Sequence, residues 1–272
     1  MAVAFEKFHG TGNDFLICES SAPVEDWSAF AREYCDRETG IEVGNRRGAD
    51  GVLVLSLQEG NRVTMELYQP DGGTAAMCGN GARCAAYWSA EQFGVDDLII
   101  DTPAGERRAH VGEESIEIEM DIPSFSPSEI PLAREKPLVR EEVEGYEVTA
   151  VNTGVPHVVV FVEDVSTTDL NAMAPAIRYS EIFPKGANVN LAAAREERFD
   201  QRTFERGVEG ETRSCGTGAV AIAAVAKRLG FAGEEVRVSP PGGTLDVTVP
   251  ENGPAILSGP VEFEGSGEVP IS

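Results

Sequence analysis

The sequence predicts an α/β protein of two homologous domains, each with strands wrapped around one central helix. Three observations support this class. Segments of the first half recur in the same order in the second half, at offsets of 137 to 142 residues. Each half has one principal helix that begins directly after a cysteine, and most other apolar segments have the length and alternation of strands. Two copies are too few for a stacked solenoid, so the repeat indicates paired domains.

The repeat is clearest at the two cysteine motifs. CGNGARCAA begins at Cys78, and CGTGAVAIAA begins at Cys215. Three further segment pairs keep nearly the same spacing: DTPAGERRAHV with SPPGGTLDVTV, RRGADGVLVL with PKGANVNLAA, and GNDFLICE with GVPHVVVFVE. Together they indicate that the whole half is duplicated.

The elements follow from local patterns. Strands are predicted at GVLVLSL, RVTMELY, DDLIID and SIEIEM in the first half, and at HVVVFV, EVRVS, TLDVTV and AILSG in the second. Helices are predicted over 79–93, ending at Gly94, and over 216–229, ending at Gly230, because glycine commonly follows the last helical residue. The second helix is rich in alanine and poor in polar residues, so we expect it at the centre of its domain.

The domain boundary is predicted from a proline-rich segment. The stretch 121–137 carries prolines and serines and is the best candidate for the crossover between domains. We therefore assign residues 1–121 to the first domain, completed by a C-terminal strand from 260–272, and residues 122–259 to the second.

Charge excludes several partners. The chain has 272 residues, with 22 basic and 46 acidic side chains and a net charge of −24. Such a surface repels nucleic acids and anionic membranes, so neither is expected as a partner. Lysine is scarce beside arginine, and this halophilic composition indicates adaptation to high salt. The chain has no apolar run of the roughly 18 residues that span a bilayer and no signal-peptide pattern, which predicts a cytoplasmic protein.

The five cysteines do not suggest a disulfide framework or a zinc site, because their number is odd and no C-x-x-C pair occurs. Cys78 and Cys215 differ from the others because each precedes a helix N-terminus. The unpaired N–H groups and the helix dipole there stabilise a thiolate and bind carboxylates. Cys18, Cys35 and Cys84 are interpreted as packing residues.

Two related domains that each present a thiol suggest an active site in the interdomain cleft. One sulfur, as thiolate, would remove a proton from a stereocentre, and the other, as thiol, would donate one to the opposite face. The helix N-termini would hold the substrate carboxylate and stabilise the charge that develops on it. This chemistry is that of a two-base racemase acting on a small molecule.

The motifs HGTGNDF, MCGNGARC, GANVN, ERGVEGETRSCGTGA and PGGTLDV together resemble the diaminopimelate epimerase family over essentially the whole chain. The resemblance implies an isomerase without cofactor or metal that interconverts LL- and meso-2,6-diaminopimelate in lysine biosynthesis. It also implies two α/β domains, each a strand barrel around a central helix, and a chain that often assembles as a homodimer.

The resemblance carries individual roles onto this sequence. Cys78 and Cys215 match the two catalytic acid–bases, and His157 and Glu205 match positions that tune the pKa values of the cysteines. The matched substrate-binding positions are Asn13, Gln69, Gly79, Asn80, Asn188, Glu205, Arg206, Gly216 and Thr217. Arg206 offers a bidentate fork for the far carboxylate of the substrate, and Glu205 offers the charge opposite to an ammonium group.

Three positions depart from the commonest family pattern. Gln69 replaces a usual asparagine, Val155 stands where asparagine is frequent, and Gly51 stands where some members have a contacting glutamine. All three concern recognition of the distal half of the substrate, so the reaction type is better determined than the substrate.

Two alternative functions stay open. Proline and hydroxyproline racemases also use two cysteines as acid and base, although their first motif usually has histidine at the position of Asn80. A non-catalytic amino-acid-binding relative could keep the fold without turnover. A pyridoxal-phosphate racemase needs a Schiff-base lysine, and none of the four lysines lies in a recognisable motif.

Overall fold

Two structural units follow from the computed structural model, which describes residues 2–270. The first comprises Met1–Ile118 and Gly259–Ser272, and the second comprises Glu119–Ser258. The chain passes into the second unit three residues before the boundary assigned from sequence, and the proline-rich stretch 121–137 belongs to the second unit. Residues 271 and 272 of the expected C-terminal strand lie outside the described residues, as does residue 1.

The first unit contains strands before and after its central helix. In chain order its elements are β1 Ala2–Gly10, β2 Asn13–Glu19, α1 Trp27–Tyr34, β3 Gly51–Leu57, β4 Arg62–Tyr68, β5 Thr74–Ala75, α2 Gly79–Phe93, β6 Asp97–Thr102, β7 Gly105–Val111 and β8 Ile116–Glu119. The strand β18, Glu262–Pro270, returns from the C-terminus and pairs antiparallel with β1.

The second unit repeats this order after one additional first strand and includes an additional 3-10 turn. Its elements are β9 Val139–Val143, β10 Tyr146–Asn152, β11 Pro156–Phe161, a 3-10 turn Val165–Thr167, α3 Leu170–Arg178, β12 Asn188–Ala194, β13 Phe199–Glu205, β14 Gly210–Thr212, α4 Gly216–Leu229, β15 Glu235–Ser239, β16 Leu245–Thr248 and β17 Ile256–Gly259.

Strand pairing repeats between the units. In the first unit, β1 pairs antiparallel with β2, β2 parallel with β3, β3 antiparallel with β4, and β4 parallel with β6. In the second unit, β10–β11, β11–β12, β12–β13 and β13–β15 have the same directions in the same order. The strands β9 and β18 hold equivalent places, each antiparallel to the first strand of its unit.

Each sheet wraps around its central helix. Helix α2 contacts β1, β2, β3, β4, β6 and β7, and helix α4 contacts the equivalent strands β10, β11, β12, β13, β15 and β16. Glycines in the left-handed conformation end both helices, Gly94 at φ 67° and Gly230 at φ 75°. The predicted fold class, two homologous α/β domains with strands around a central helix, is confirmed.

The smaller helices cover the opposite faces of the sheets. Asp26 and Asp169 cap α1 and α3 by accepting backbone hydrogen bonds from Ala29 at 3.0 Å and Ala172 at 3.1 Å. Because helices lie on both faces, β3, β11 and β12 are buried along nearly their whole length. Among residues 2–270, no helix is long and apolar enough to cross a membrane.

Candidate active site

Cys78 is the N-cap residue of α2. Its backbone is extended, with φ −142° and ψ 118°, and its sulfur accepts a hydrogen bond from the Gly81 N–H at 3.4 Å. Its carbonyl accepts the first helical bond, from Ala82 at 2.8 Å. Cys78 is half-buried. The thiol therefore lies where the sequence places it, at the positive end of the helix dipole.

Asn80, in the first turn of α2, is linked to the turn between β1 and β2. Its Nδ2 donates to Asn13 Oδ1 at 2.5 Å, and its Oδ1 accepts from Arg83 Nη2 at 3.0 Å and from the Thr11 hydroxyl at 3.3 Å. The structure thus brings together Asn13, Asn80 and Cys78. Thr11 and Arg83, which sequence reasoning did not select, complete the group.

Arg83 is fully buried, which is rare for arginine. Burial lowers the pKa of its guanidinium to about 10, although the nearby Cys84 and Cys78 sulfurs act in the opposite direction. Its Nη2 donates to Thr11 and Asn80, whereas Nε and Nη1 have no hydrogen-bond partner among the described residues. A cation thus lies within the helix that carries Cys78.

A charged cluster supports the other side of Asn13. Asn13 Nδ2 donates to Asp50 Oδ2 at 3.1 Å, and Arg37 contacts both Asp50 and Asp14. Asp14 is 1% exposed and pairs with the fully buried Lys7 at 2.9 Å. Burial by itself raises the pKa of the Asp14 carboxyl, but hydrogen bonds from Arg37 and Lys7 outweigh burial and hold this pKa below its ordinary value.

Gln69 directly follows β4, and Gly51 is the first residue of β3. Gln69 is half-buried at the turn after β4, and its backbone N–H donates to the Gly73 carbonyl at 2.7 Å. A Cβ at Gly51 would lie 2.8 Å from both Leu67 Cδ1 and the Tyr68 carbonyl oxygen. A side chain at position 51 would therefore require these neighbours to shift.

Cys215 is the N-cap residue of α4, with extended backbone at φ −127° and ψ 105°. Its carbonyl accepts from the Ala219 N–H at 2.9 Å, and its sulfur lies 3.5 Å from Thr217 Oγ1. The residue is 6% exposed. The buried Thr153 hydroxyl donates to the Thr217 carbonyl at 2.9 Å, so the turn before β11 is tied to the first turn of α4, as Thr11 ties the first unit.

His157 lies in β11 and is fully buried between two asparagines. Asn190 Nδ2 is 3.0 Å from His157 Nδ1, and Asn188 Nδ2 is 3.4 Å from Nε2. Burial, together with the nearby charge of Arg206, lowers the pKa of His157 to about 3. The imidazole is therefore neutral at physiological pH.

Glu205 is the last residue of β13, and Arg206 follows it beside Asn188. The Arg206 N–H donates to Asn188 Oδ1 at 2.7 Å, and Arg206 Nη1 donates to the Lys185 carbonyl at 3.2 Å. The Thr212 hydroxyl donates to Glu205 Oε1. Both side chains are half-buried, so neither ion is fully removed from solvent.

The loop after Arg206 is fixed by Glu209. Its carboxylate accepts from Arg178 Nε at 2.7 Å, from the Tyr179 hydroxyl at 2.6 Å and from the Gly207 N–H at 2.9 Å. The Arg178 hydrogen bond is the main reason that the pKa of Glu209 is lowered to about 2.

Three buried polar residues in strands also escaped sequence reasoning. Asn190, Gln201 and Thr203 are at most 2% exposed and hydrogen-bond to one another beneath α4. The available signal was weak. Gln201 and Thr203 lie on the same face of β13 as the buried Phe199, and the partly exposed residues between them lie on the other face.

The other cysteines are packing residues, as predicted. Burial raises the pKa of Cys18, Cys35 and Cys84 to about 12, so these thiols stay protonated. Within residues 2–270, no group of three or more His, Cys, Asp or Glu side chains is arranged to hold a metal ion.

Solved structures define the class of fold. The chain superposes on a predicted epimerase from Pseudomonas aeruginosa with a TM-score of 0.70 at 15% identity, covering 99% of this chain and 100% of that one. A hydroxyproline epimerase from Agrobacterium vitis gives a TM-score of 0.66 at 17% identity, over 98% of this chain and 92% of that one. At these identities the likeness shows the fold alone.

Sequence relatives are more specific. The family profile described as diaminopimelate epimerase matches residues 5–125 and 149–264. A diaminopimelate epimerase from Methanocella arvoryzae is 42% identical over 99% of this chain and 97% of its own length. One from Methanothrix thermoacetophila is 45% identical over 90% of this chain and 88% of its own length. This chain belongs to the diaminopimelate epimerase family, and the prediction of an epimerase-class isomerase is confirmed.

Proposed function

We propose that the protein interconverts LL- and meso-2,6-diaminopimelate for lysine biosynthesis, with Cys78 and Cys215 as the two acid–bases. One observation carries this proposal: two units with equivalent strand pairing each present a cysteine as the N-cap residue of the central helix. A duplicated thiol at a duplicated helix N-terminus matches a reaction that needs one proton acceptor and one proton donor.

The chemistry balances with these two groups alone. One thiolate takes the α-proton, and the electron pair of the C–H bond delocalises into the adjacent carboxylate. The other thiol then gives its proton to the opposite face, which inverts the centre and leaves the protonation states of the two sulfurs exchanged. The first-turn N–H groups at Gly79, Asn80, Gly216 and Thr217 are candidates for holding the reacting carboxylate.

The remaining candidates are suited to the distal half of the substrate. Arg206 donates to a backbone carbonyl, which a substrate carboxylate would replace with a stronger, charge-assisted contact. Glu205 offers a carboxylate to the distal ammonium. Asn13, Gln69 and Asn188 supply neutral amide groups that orient the same end of the substrate.

His157 would act without charge. Because burial holds its pKa at about 3, the ring stays neutral over the working range of an epimerase. We therefore assign to it an influence through the direction of its hydrogen bonds, and we assign the charge-based influence on the thiols to Glu205.

The test is α-proton exchange followed by NMR. LL-diaminopimelate is incubated in D₂O with the wild type, Cys78→Ala and Cys215→Ala, each in concentrated KCl to match the acidic composition. The proposal predicts deuterium at one α-carbon together with meso product, and loss of both in each variant. Cys84→Ala is the matched control, because that thiol is buried in the same helix as Cys78.

Two outcomes would contradict the proposal. Exchange on proline or hydroxyproline but not on diaminopimelate would support the two-thiol mechanism but show that diaminopimelate is not the substrate. Folded protein that exchanges none of these amino acids would instead favour a binding protein that has kept the fold.

A further inference from the structure

A chain of hydrogen bonds crosses the interior of the second unit beneath α4. Gln201 Nε2 donates to Thr203 Oγ1 at 2.9 Å, and the Thr203 hydroxyl donates to Asn190 Oδ1 at 2.9 Å. Asn190 Nδ2 then reaches His157 Nδ1 at 3.0 Å. We call these four residues the buried polar chain.

The two ends of the buried polar chain lie at residues of the candidate site. Gln201 Nε2 also donates to the Cys215 carbonyl at 3.2 Å, which already accepts from the Ala219 N–H. Two donors on one carbonyl restrain the peptide plane that carries the thiol. At the other end, His157 Nε2 faces Asn188, the residue whose side-chain oxygen accepts from the Arg206 N–H.

All the bonds of the chain point in one direction. Asn190 accepts the Thr203 proton on Oδ1, and its Nδ2 donates to the Val158 carbonyl at 2.9 Å as well as to His157. Asn190 therefore presents an N–H donor to His157 Nδ1. A doubly protonated ring would face amide donors at both nitrogens, from Asn190 and from Asn188, so these surroundings favour the neutral ring.

The first unit has no such chain, although its backbone is equivalent. Phe15 pairs with the first residue of β3 as His157 pairs with the first residue of β12, and Leu53 pairs with Leu67 as Asn190 pairs with Thr203. The four positions are held in the first unit by Phe15, Leu53, Met65 and Leu67, all buried. We call these residues the apolar counterpart.

A glycine lets each layer approach its helix. A Cβ at Gly218 in α4 would lie 2.5 Å from Asn190 Oδ1 and 2.8 Å from Gln201 Nε2. A Cβ at the equivalent Gly81 in α2 would lie 3.2 Å from Leu53 Cδ2. The buried polar chain therefore packs directly against the first turn that follows Cys215, with no side chain between them.

We propose that Gln201, Thr203 and Asn190 are positioning residues that hold Cys215 and the neutral ring of His157 in place for proton transfer. The proposal rests on the proposed epimerase function. The apolar counterpart shows that this backbone folds without polar groups at these positions. Burying polar side chains is costly, and Gln201 Oε1 has no hydrogen-bond partner among the described residues. Because this cost occurs beside only one of the two thiols, it points to a role in the chemistry.

The experiment compares Thr203→Val with Thr203→Ser. Valine keeps the shape of threonine but removes the hydroxyl that links Gln201 to Asn190, whereas serine keeps that hydroxyl. We expect Thr203→Val to lower kcat about tenfold with little change in KM, since misplacement of reacting groups acts on the transition state. Cys215, mapped by mass spectrometry, should react with iodoacetamide about threefold faster because its peptide is less restrained, while Cys78 keeps its rate. Thr203→Ser should behave like the wild type in both assays.

Leu67→Val, at the equivalent position of the first unit, is the matched control and should change neither kcat nor the alkylation of Cys215. Gln201→Met, which copies Met65, is the second route if Thr203→Val fails to fold. The proposal is overturned if folded Thr203→Val keeps wild-type kcat and alkylation, or if serine is as damaging as valine. Alkylation needs no turnover, so it decides the positioning role even if the wild type does not act on diaminopimelate.

Discussion

The helices α2 and α4 occupy equivalent places in their units, yet different chemistry lies beneath their first turns. Under α2 the strand residues that face the helix are apolar, and the polar groups near Cys78 are Thr11, Asn13 and the buried cation of Arg83. Under α4 the layer is the buried polar chain, and at the position equivalent to Arg83 the helix has Val220. The comparison teaches that one duplicated backbone can surround its two thiols with a charge in one unit and with neutral hydrogen bonds in the other.

The largest expected effect comes from exchanging the layers. Replacing the buried polar chain with its apolar counterpart, by His157→Phe, Asn190→Leu, Gln201→Met and Thr203→Leu together, should lower kcat/KM about 1,000-fold. The free energy of unfolding should stay within about 2 kcal/mol of the wild type, because most polar groups are removed together with their partners and only the Asn188 amide loses a contact. Urea unfolding and steady-state kinetics measure both quantities.

The reverse substitution in the first unit is the control for this exchange. Leu53→Asn places one amide in the apolar layer without partners, so it should lower the free energy of unfolding by about 3 kcal/mol. A folded four-residue exchange variant with activity within threefold of the wild type would show that the two layers are equivalent.

The charged cluster of the first unit provides the next prediction. Asp14→Asn removes the carboxylate shared by Lys7 and Arg37, leaving Lys7 with Glu264 at 3.3 Å and Arg37 with Asp50. It should lower the free energy of unfolding by about 3 kcal/mol. The pKa of Asp14 is lowered in the folded state, so its contribution is present above its ordinary pKa of 3.8 and is lost as the pH falls below that value. The difference between wild type and variant should therefore shrink in urea titrations between pH 5 and pH 2.

Asp246→Asn is the matched control for this pH dependence. Asp246 pairs with Arg237 at 2.8 Å, but both side chains are more than half exposed. An exposed pair contributes about 0–1 kcal/mol. If Asp14→Asn costs no more than Asp246→Asn at pH 7, the charged cluster does not support the first unit as described.

The smallest predicted effect concerns Arg83. Arg83→Met should lower kcat about tenfold, because it removes the cation and frees the side chains of Thr11 and Asn80. Stability should change by only about 1 kcal/mol, because the lost hydrogen bonds are offset by removal of a buried charge with two unpartnered nitrogens. Kinetics and thermal unfolding test this, and Val220→Met in α4 is the volume control. A loss of stability much larger than the loss of activity would make Arg83 a structural residue.

The fold could be predicted from sequence because its signals are periodic and duplicated. The two cysteine motifs, the glycines that end α2 and α4, and the alternation in strands such as β15 are local patterns that survive in both halves. The domain boundary was harder to place, because prolines mark irregular backbone and do not show which unit that backbone packs against.

The site could be predicted only in part. Cys78, Asn80 and Asn13 were selected and come together within one unit. Arg83 was missed because its burial depends on sheet closure around α2, and a helical arginine normally reaches solvent. Asn190, Gln201 and Thr203 were missed because their contacts with one another and with His157 depend on the register of three strands. That register cannot be predicted from any single segment.

The most direct test of the central claim, that two thiols act from opposite faces, is the isotope content of substrate and product early in the reaction. LL-diaminopimelate is allowed to react in D₂O to about 5% conversion, the isomers are separated on a chiral column, and deuterium at the α-carbon is measured in each. Two separate acid–bases predict deuterium in the meso product and almost none in recovered LL substrate, because the proton is removed by one thiol and replaced from the other. Protium kept in the product, or equal deuterium in both isomers, would mean that a single group serves both faces and would contradict the account.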